Sequence, residues 1–142
     1  MMGYFEDSND EEIIFHMIED GVIESSGKTF NLTNMGAFTF AKNLKNFENL
    51  SAHALRVIRY AGNNKLSAVA DNTASKGAAV GFEGLLKFIN GHLPRNPETL
   101  KDNGQITSDT DYPPLVIREI VANQIVHQDF SVKGSSPTIE IF

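Results

Sequence analysis

The sequence predicts an α+β fold, and three observations carry that expectation. Residues 10–20 and 78–90 repeat apolar side chains at helical spacing. Residues 22–32 read as two short extended runs about a turn. Residues 115–128 contain nothing that breaks a helix, and a glycine-serine turn leads from them into an alternating strand.

Taken in order, Ser8, Asn9 or Asp10 can cap the first helix, and Ser8 with Glu11 has capping-box spacing. Ile13, Ile14, Met17 and Ile18 form its apolar face, and Gly21 supplies a natural stop. Val22-Ile23-Glu24 is extended, Ser25-Ser26-Gly27-Lys28 turns the chain, and Thr29 to Leu32 returns. Thr33 or Asn34 caps a second helix, Met35 to about Ala41, whose Phe38 and Phe40 require packing. Helix, hairpin and helix make a winged-helix-like layout. A central strand is expected within Ser51 to Tyr60, where Arg56 and Arg59 read as a solvated polar face rather than phosphate ligands. Lys65 to Lys76 is small and polar and reads as a surface loop.

Ala78 to Asn90 is the clearest helix, with Phe82, Leu85, Leu86, Phe88 and Ile89 as core residues and Gly91 as its stop. Gly77, Gly81 and Gly84 do not make a phosphate loop, because no Lys-Ser/Thr pair follows and no valine-rich strand leads in. Residues 94–112 are polar and turn-rich, with one β-capable piece at 105–107. They are expected to link an N-terminal α+β lobe, residues 1–93, to a second lobe, residues 113–142. Pro113 and Pro114 suit a helix start, where there is no backbone hydrogen bond to lose. Pro137 to Phe142 alternates as a strand and stops on an apolar residue, so the chain reads as part of a larger fold. The open edge of such a strand invites another chain, and a homo-oligomer is expected.

Composition narrows the function. Twelve Lys and Arg against eighteen Asp and Glu give 142 residues a net charge of −6. The basic residues form no stripe, so this chain is a poor candidate for the DNA-contacting part of a protein. Without cysteine there is neither a disulfide framework nor a thiolate metal site. His16, His53 and His92 lie apart, and no metal is expected on them. No apolar run approaches bilayer length and the acidic N-terminus lacks an apolar signal region, so a soluble cytoplasmic protein is expected.

One spacing looks like chemistry. Glu119, Asn123 and His127 stand four residues apart, and on a helix such steps drift by about 40°, so the three line one stripe. Val116, Ile120, Ala122 and Val126 flank it, while Ile117, Val121 and Ile125 cover the back. A helix apolar nearly all round is expected to be buried. Polar groups on it would then need partners from the protein or from a ligand.

The surroundings of the stripe sharpen this. Tyr112-Pro113-Pro114-Leu115, Arg118-Glu119, Asn123 and Val126-His127-Gln128-Asp129-Phe130-Ser131, followed by Ile139-Glu140-Ile141-Phe142, resemble a known family. It is the family of RecG-related ATP-dependent DNA helicases and transcriptional regulators, in the region that leads into their ATPase domain. Gly27-Lys28, Leu32-Thr33-Asn34-Met35-Gly36-Ala37 and Phe40-Ala41-Lys42-Asn43 resemble the segment just upstream, so the likeness covers roughly 11–43 and 112–142. The Schlafen/Alba-type DNA-binding domain that precedes this region in the family is not in this sequence, and DNA would be reached through a domain outside this chain.

The resemblance implies a strand and helix belonging to a GHKL-like α/β sandwich, the class of gyrase, histidine kinases and MutL. Their N-box helix carries the same Glu-x-x-x-Asn arrangement. It implies that Asn123 holds the Mg²⁺ bridging the phosphates of ATP, that Glu119 activates water in a hydrolysing member, and that His127 lies near the phosphates at the pocket mouth. Gln124, Gln128 and Phe130 depart from the Ala, Arg and Tyr of the pattern, and Gln124 is expected to crowd the helix against its neighbour. An Asp-x-Gly-x-Gly segment to grip adenine does not occur in the 142 residues. ATP hydrolysis is therefore expected of the full-length protein, and no useful ATP affinity of this piece alone. Three readings stay open: an ATP-dependent DNA-related enzyme, a regulator that senses ATP, and a structural or dimerisation segment in which the stripe satisfies buried groups.

Overall fold

Asn9 caps the first helix, and Ser8 lies outside the described residues. In the computed structural model, which describes residues 9–96, 99–100, 103–104, 106–107, 112–132 and 136–142, α1 runs from Asp10 to Glu19. Asn9 Oδ1 accepts from the Glu12 amide at 3.0 Å and Glu12 Oε2 accepts from the Asn9 amide at 3.3 Å. This is a reciprocal capping box, one residue later than the Ser8-Glu11 spacing. Gly21 ends the helix with φ +68. None of the α1 residues is buried.

The antiparallel hairpin follows as β1, Ile23–Ser26, and β2, Thr29–Leu32, in a register from Ile23↔Leu32 to Ser26↔Thr29. Helix α2, Asn34–Phe40, is capped by Thr33, whose hydroxyl accepts from the Gly36 amide at 2.9 Å and donates to the Gly21 carbonyl at 2.6 Å. One side chain thus ties the start of α2 to the end of α1. Gly36 is required there: a Cβ on it would lie 2.1 Å from the Val22 carbonyl oxygen. Of the two phenylalanines on α2, Phe38 is buried and Phe40 is half exposed.

A 3-10 turn at Leu44–Asn46 and the short α3, Glu48–Ser51, lead to β3, Arg56–Tyr60. The strand expected within Ser51 to Tyr60 is thus confined to its second half, with Ser51 ending α3 and residues 52–55 turning the chain. Residues expected to loop at 65–76 instead supply β4, Ala68–Thr73. Its alanines, Asn72 and Asp71 have poor intrinsic strand preference, and pairing with β3 overrides it. Asp71 lies opposite Ile58 and forms a two-pronged ion pair with Arg56, with Nε to Oδ1 at 2.8 Å.

Next come α4, Ala78–His92, the two-residue strands β5, Thr99–Leu100, and β6, Ile106–Thr107, then α5, Pro114–Val126, and β7, Thr138–Ile141. The helix prediction for α4 holds to within two residues. The expected β-capable piece is β6, paired antiparallel with β5.

The central sheet has the order β4-β3-β7, with β3 antiparallel to β4 and parallel to β7. Alternation along strands places Val57, Ile139 and Ile141 against the helices. They pack with Leu86, Ile89 and Leu93 of the α4 region and with Ile117 and Val121 of α5 in one core. Residues expected in separate lobes, on either side of 94–112, share this sheet and core. The strand beyond that stretch is therefore laid alongside β3 rather than beginning a layer of its own. A second cluster, Ala37, Phe38, Ala41, Leu44, Leu50 and Ala54, lies under α2, with Phe130 packed against it. Gly77 joins the two, since its amide donates to the Ala41 carbonyl at 2.7 Å and an added Cβ would lie 2.7 Å from the Ala41 nitrogen.

Candidate functional site

The candidate stripe stands on α5, and α5 is only half buried. Pro113 and Pro114 start it, and no side chain caps it. At about 100° per residue, Ile117, Val121 and Ile125 fall on one side and Glu119, Asn123 and His127 on the other. Val121 has no exposure at all and Ile117 has 7 %. Leu115 and Val126 are 75 % and 72 % exposed, and Val116 and Ile120 are each 47 % exposed. The expectation of a buried helix is thus corrected. The sheet and α4 cover one side of α5 and leave its other apolar residues in solvent.

Glu119 and Asn123 come together: Asn123 Nδ2 donates to Glu119 Oε1 at 3.2 Å, and both residues are exposed. His127 is the C-cap residue; its backbone N–H donates to the Asn123 carbonyl at 3.1 Å. Among the described residues its imidazole makes no hydrogen bond to the other two. Gln124 is exposed and does not crowd a neighbouring element.

The donor set can be tested against Mg²⁺. Because the Asn123 amide spends its nitrogen on Glu119, its oxygen remains for a cation, and a carboxylate lies beside it. Magnesium prefers oxygen ligands and is held by few protein groups when phosphates supply the rest. An amide oxygen next to one carboxylate fits that pattern. Among the described residues no group of three His, Cys, Asp or Glu is placed to hold a metal.

The residues after α5 have structural work of their own. Asp129 Oδ1 accepts from the Ser131 hydroxyl at 2.6 Å and from its amide at 2.8 Å, which holds the Asp129 carboxyl below the usual range. That turn carries Phe130 into edge contacts with Phe38 and with buried His53, at 5.0 and 5.1 Å between ring centres. Gln128, just before this turn, has both polar side-chain atoms buried with no hydrogen-bond partner among the described residues.

The other histidines serve locally. His16 Nδ1 lies 3.4 Å from Glu19, and His92 Nδ1 lies 2.8 Å from the Phe88 carbonyl. Arg56 is paired with Asp71 and Arg59 bonds the Tyr60 carbonyl, where the sequence reading expected a simply solvated face. On the same sheet face as Arg56, Glu140 accepts from Lys65 at 2.6 Å and from Tyr60 at 3.1 Å. Lys65 and Tyr60 hold the Glu140 carboxyl down, and Arg56 does the same for Asp71.

Sequence reasoning did not find a cavity of about 330 Å³ between β4 and the first turns of α4, with Asn72, Lys76 and Gly84 among its lining. The available signal was the set of small residues Ala74, Gly77, Ala78, Gly81 and Gly84, all of which line it. Comparison with known proteins matches no family model, no curated protein and no solved structure.

Proposed function

We propose that α5 is the N-box-type helix of an ATP site, and that this chain is part of an ATP-dependent, DNA-related protein of the RecG-related helicase or transcriptional-regulator kind. One observation carries the reading: Glu119 and Asn123 are joined at 3.2 Å on a solvent-facing stripe. Neither is consumed in satisfying the core, so both are available to a ligand. Asn123 would hold Mg²⁺ through its amide oxygen, with Glu119 fixing the amide by accepting from its nitrogen. Glu119 would also polarise a water and take its proton, a role open to a carboxylate beside the reacting group. His127, one turn on, would lie toward the phosphates. Mg²⁺-ATP, when bound, supplies the phosphoanhydride bond and the charge that these groups organise. DNA would be contacted outside this chain, in keeping with a net charge of −6 and no basic stripe.

A dimerisation role for α5 is the second reading, favoured by the exposed Leu115, Val116, Ile120 and Val126 around the stripe. Three variants of the full-length natural protein separate the two. Under the ATP reading, Asn123→Ala removes Mg²⁺-ATP binding, while Glu119→Ala keeps binding and loses turnover. Under the second, Ile120→Asp lowers the sedimentation coefficient and nucleotide binding is absent throughout. Nucleotide binding that ignores Asn123→Ala would sink the ATP reading.

A further inference from the structure

We propose that the cavity between β4 and α4 binds a small amphipathic anion, an apolar body carrying one carboxylate or sulfonate. Its volume, about 330 Å³, lies at the small end of ligand pockets and suits a small molecule rather than a chain segment. Val57, Leu85 and Phe88 give it apolar walls. Asn72 and Lys76, both exposed, are among its lining residues. No carboxylate lines it, although the chain has eighteen acidic against twelve basic residues. Among the described residues Lys76 has no ion-pair partner, while Arg56, Lys65 and Arg118 are each paired. A cavity with apolar walls, one lysine and no carboxylate in its lining suits an anion with an apolar body.

The cavity is independent of the ATP reading. Ile125 reaches it from the side of α5 opposite Glu119 and Asn123. It exists because the facing residues are small. On α4, Gly84 lines the space, and a Cβ added there meets nothing within 4 Å. Gly84 is exposed where it lines the cavity, so a larger side chain there is expected to obstruct the cavity without displacing backbone.

The test uses anilinonaphthalene sulfonate as the probe, titrated by fluorescence, with neutral phenylnaphthylamine as its uncharged counterpart. The expected result is saturable sulfonate binding that Gly84→Leu abolishes while the thermal unfolding of the chain stays cooperative. Lys76→Glu is expected to weaken the sulfonate about tenfold, the size of one charge-assisted hydrogen bond, and to leave the neutral probe unchanged. Ile120→Ala, on the far side of α5, is expected to change neither. Sulfonate binding that is unsaturable, or that survives both Gly84→Leu and Lys76→Glu, overturns the proposal. So does equal loss of both probes on Lys76→Glu.

Discussion

The two sides of α5 carry similar numbers of apolar residues and meet different fates. Ile117 and Val121 are enclosed by α4 and the β3-β7 pair, while Val116 and Ile120, their sequence neighbours, are half exposed. The inner side is explained by the fold. The outer side is not, because the fold leaves a polar pair in an apolar frame with nothing described against it. That face is where the proposed ligand, or a second chain, would sit.

The largest break in this comparison is a cut on the inner side. Ile117→Ala is expected to cost about 2–5 kcal/mol in denaturant unfolding, by lost burial and a residual cavity. Ile120→Ala, on the outer side, should stay within about 0.5 kcal/mol. Equal losses at the two sites would mean that the outer side is packed after all. A smaller effect, with the opposite sign, is expected just beyond the helix. Gln128 buries an amide with neither polar atom bonded among the described residues, so Gln128→Leu should gain on the order of 1 kcal/mol. A loss of that size would instead assign the amide a bound partner.

Gly84→Ala should gain about 0.5–1 kcal/mol from helix propensity alone, since the added methyl has room. The smallest effect lies on the polar face of the sheet. Asp71 and Glu140 have folded-state pKa values below their ordinary ones, so the stability they contribute is complete above the unfolded carboxylate range, about 4. It is lost as pH falls through the depressed values. Melting temperature followed below pH 5 should therefore fall less steeply in Arg56→Gln and Lys65→Gln than in the parent. Both pairs are solvent-exposed, so the change in slope is modest.

Local signals explain where the sequence could be read. The capping residues Asn9 and Thr33, the left-handed Gly21 and Gly27, and the periodicity of 78–90 act within a few residues, and α1, the hairpin, α2 and α4 follow from them. β4 could not be read this way. Ala68 to Thr73 becomes a strand only because β3 lies beside it, and Arg56 reaches Asp71 from fifteen residues away. Burial of α5 failed for a related reason. Its composition is apolar all round, but exposure depends on how many elements pack against it. At the candidate site, spacing alone brought Glu119 and Asn123 together. The outward direction of the pair required knowing which side met the core. The small residues by β4 were visible in the sequence, but that they enclose a cavity needed the placement of β4 beside α4.

The most direct measurement is calorimetric titration of the full-length natural protein with Mg²⁺-ATP, for the parent and for Asn123→Ala, with thermal unfolding of both. The outer side of α5 is a nucleotide site if the parent binds and Asn123→Ala weakens binding by more than about tenfold, a loss of over 1.4 kcal/mol, at an unchanged unfolding temperature. Equal affinity in the two proteins, or a parent that does not bind Mg²⁺-ATP, would contradict it.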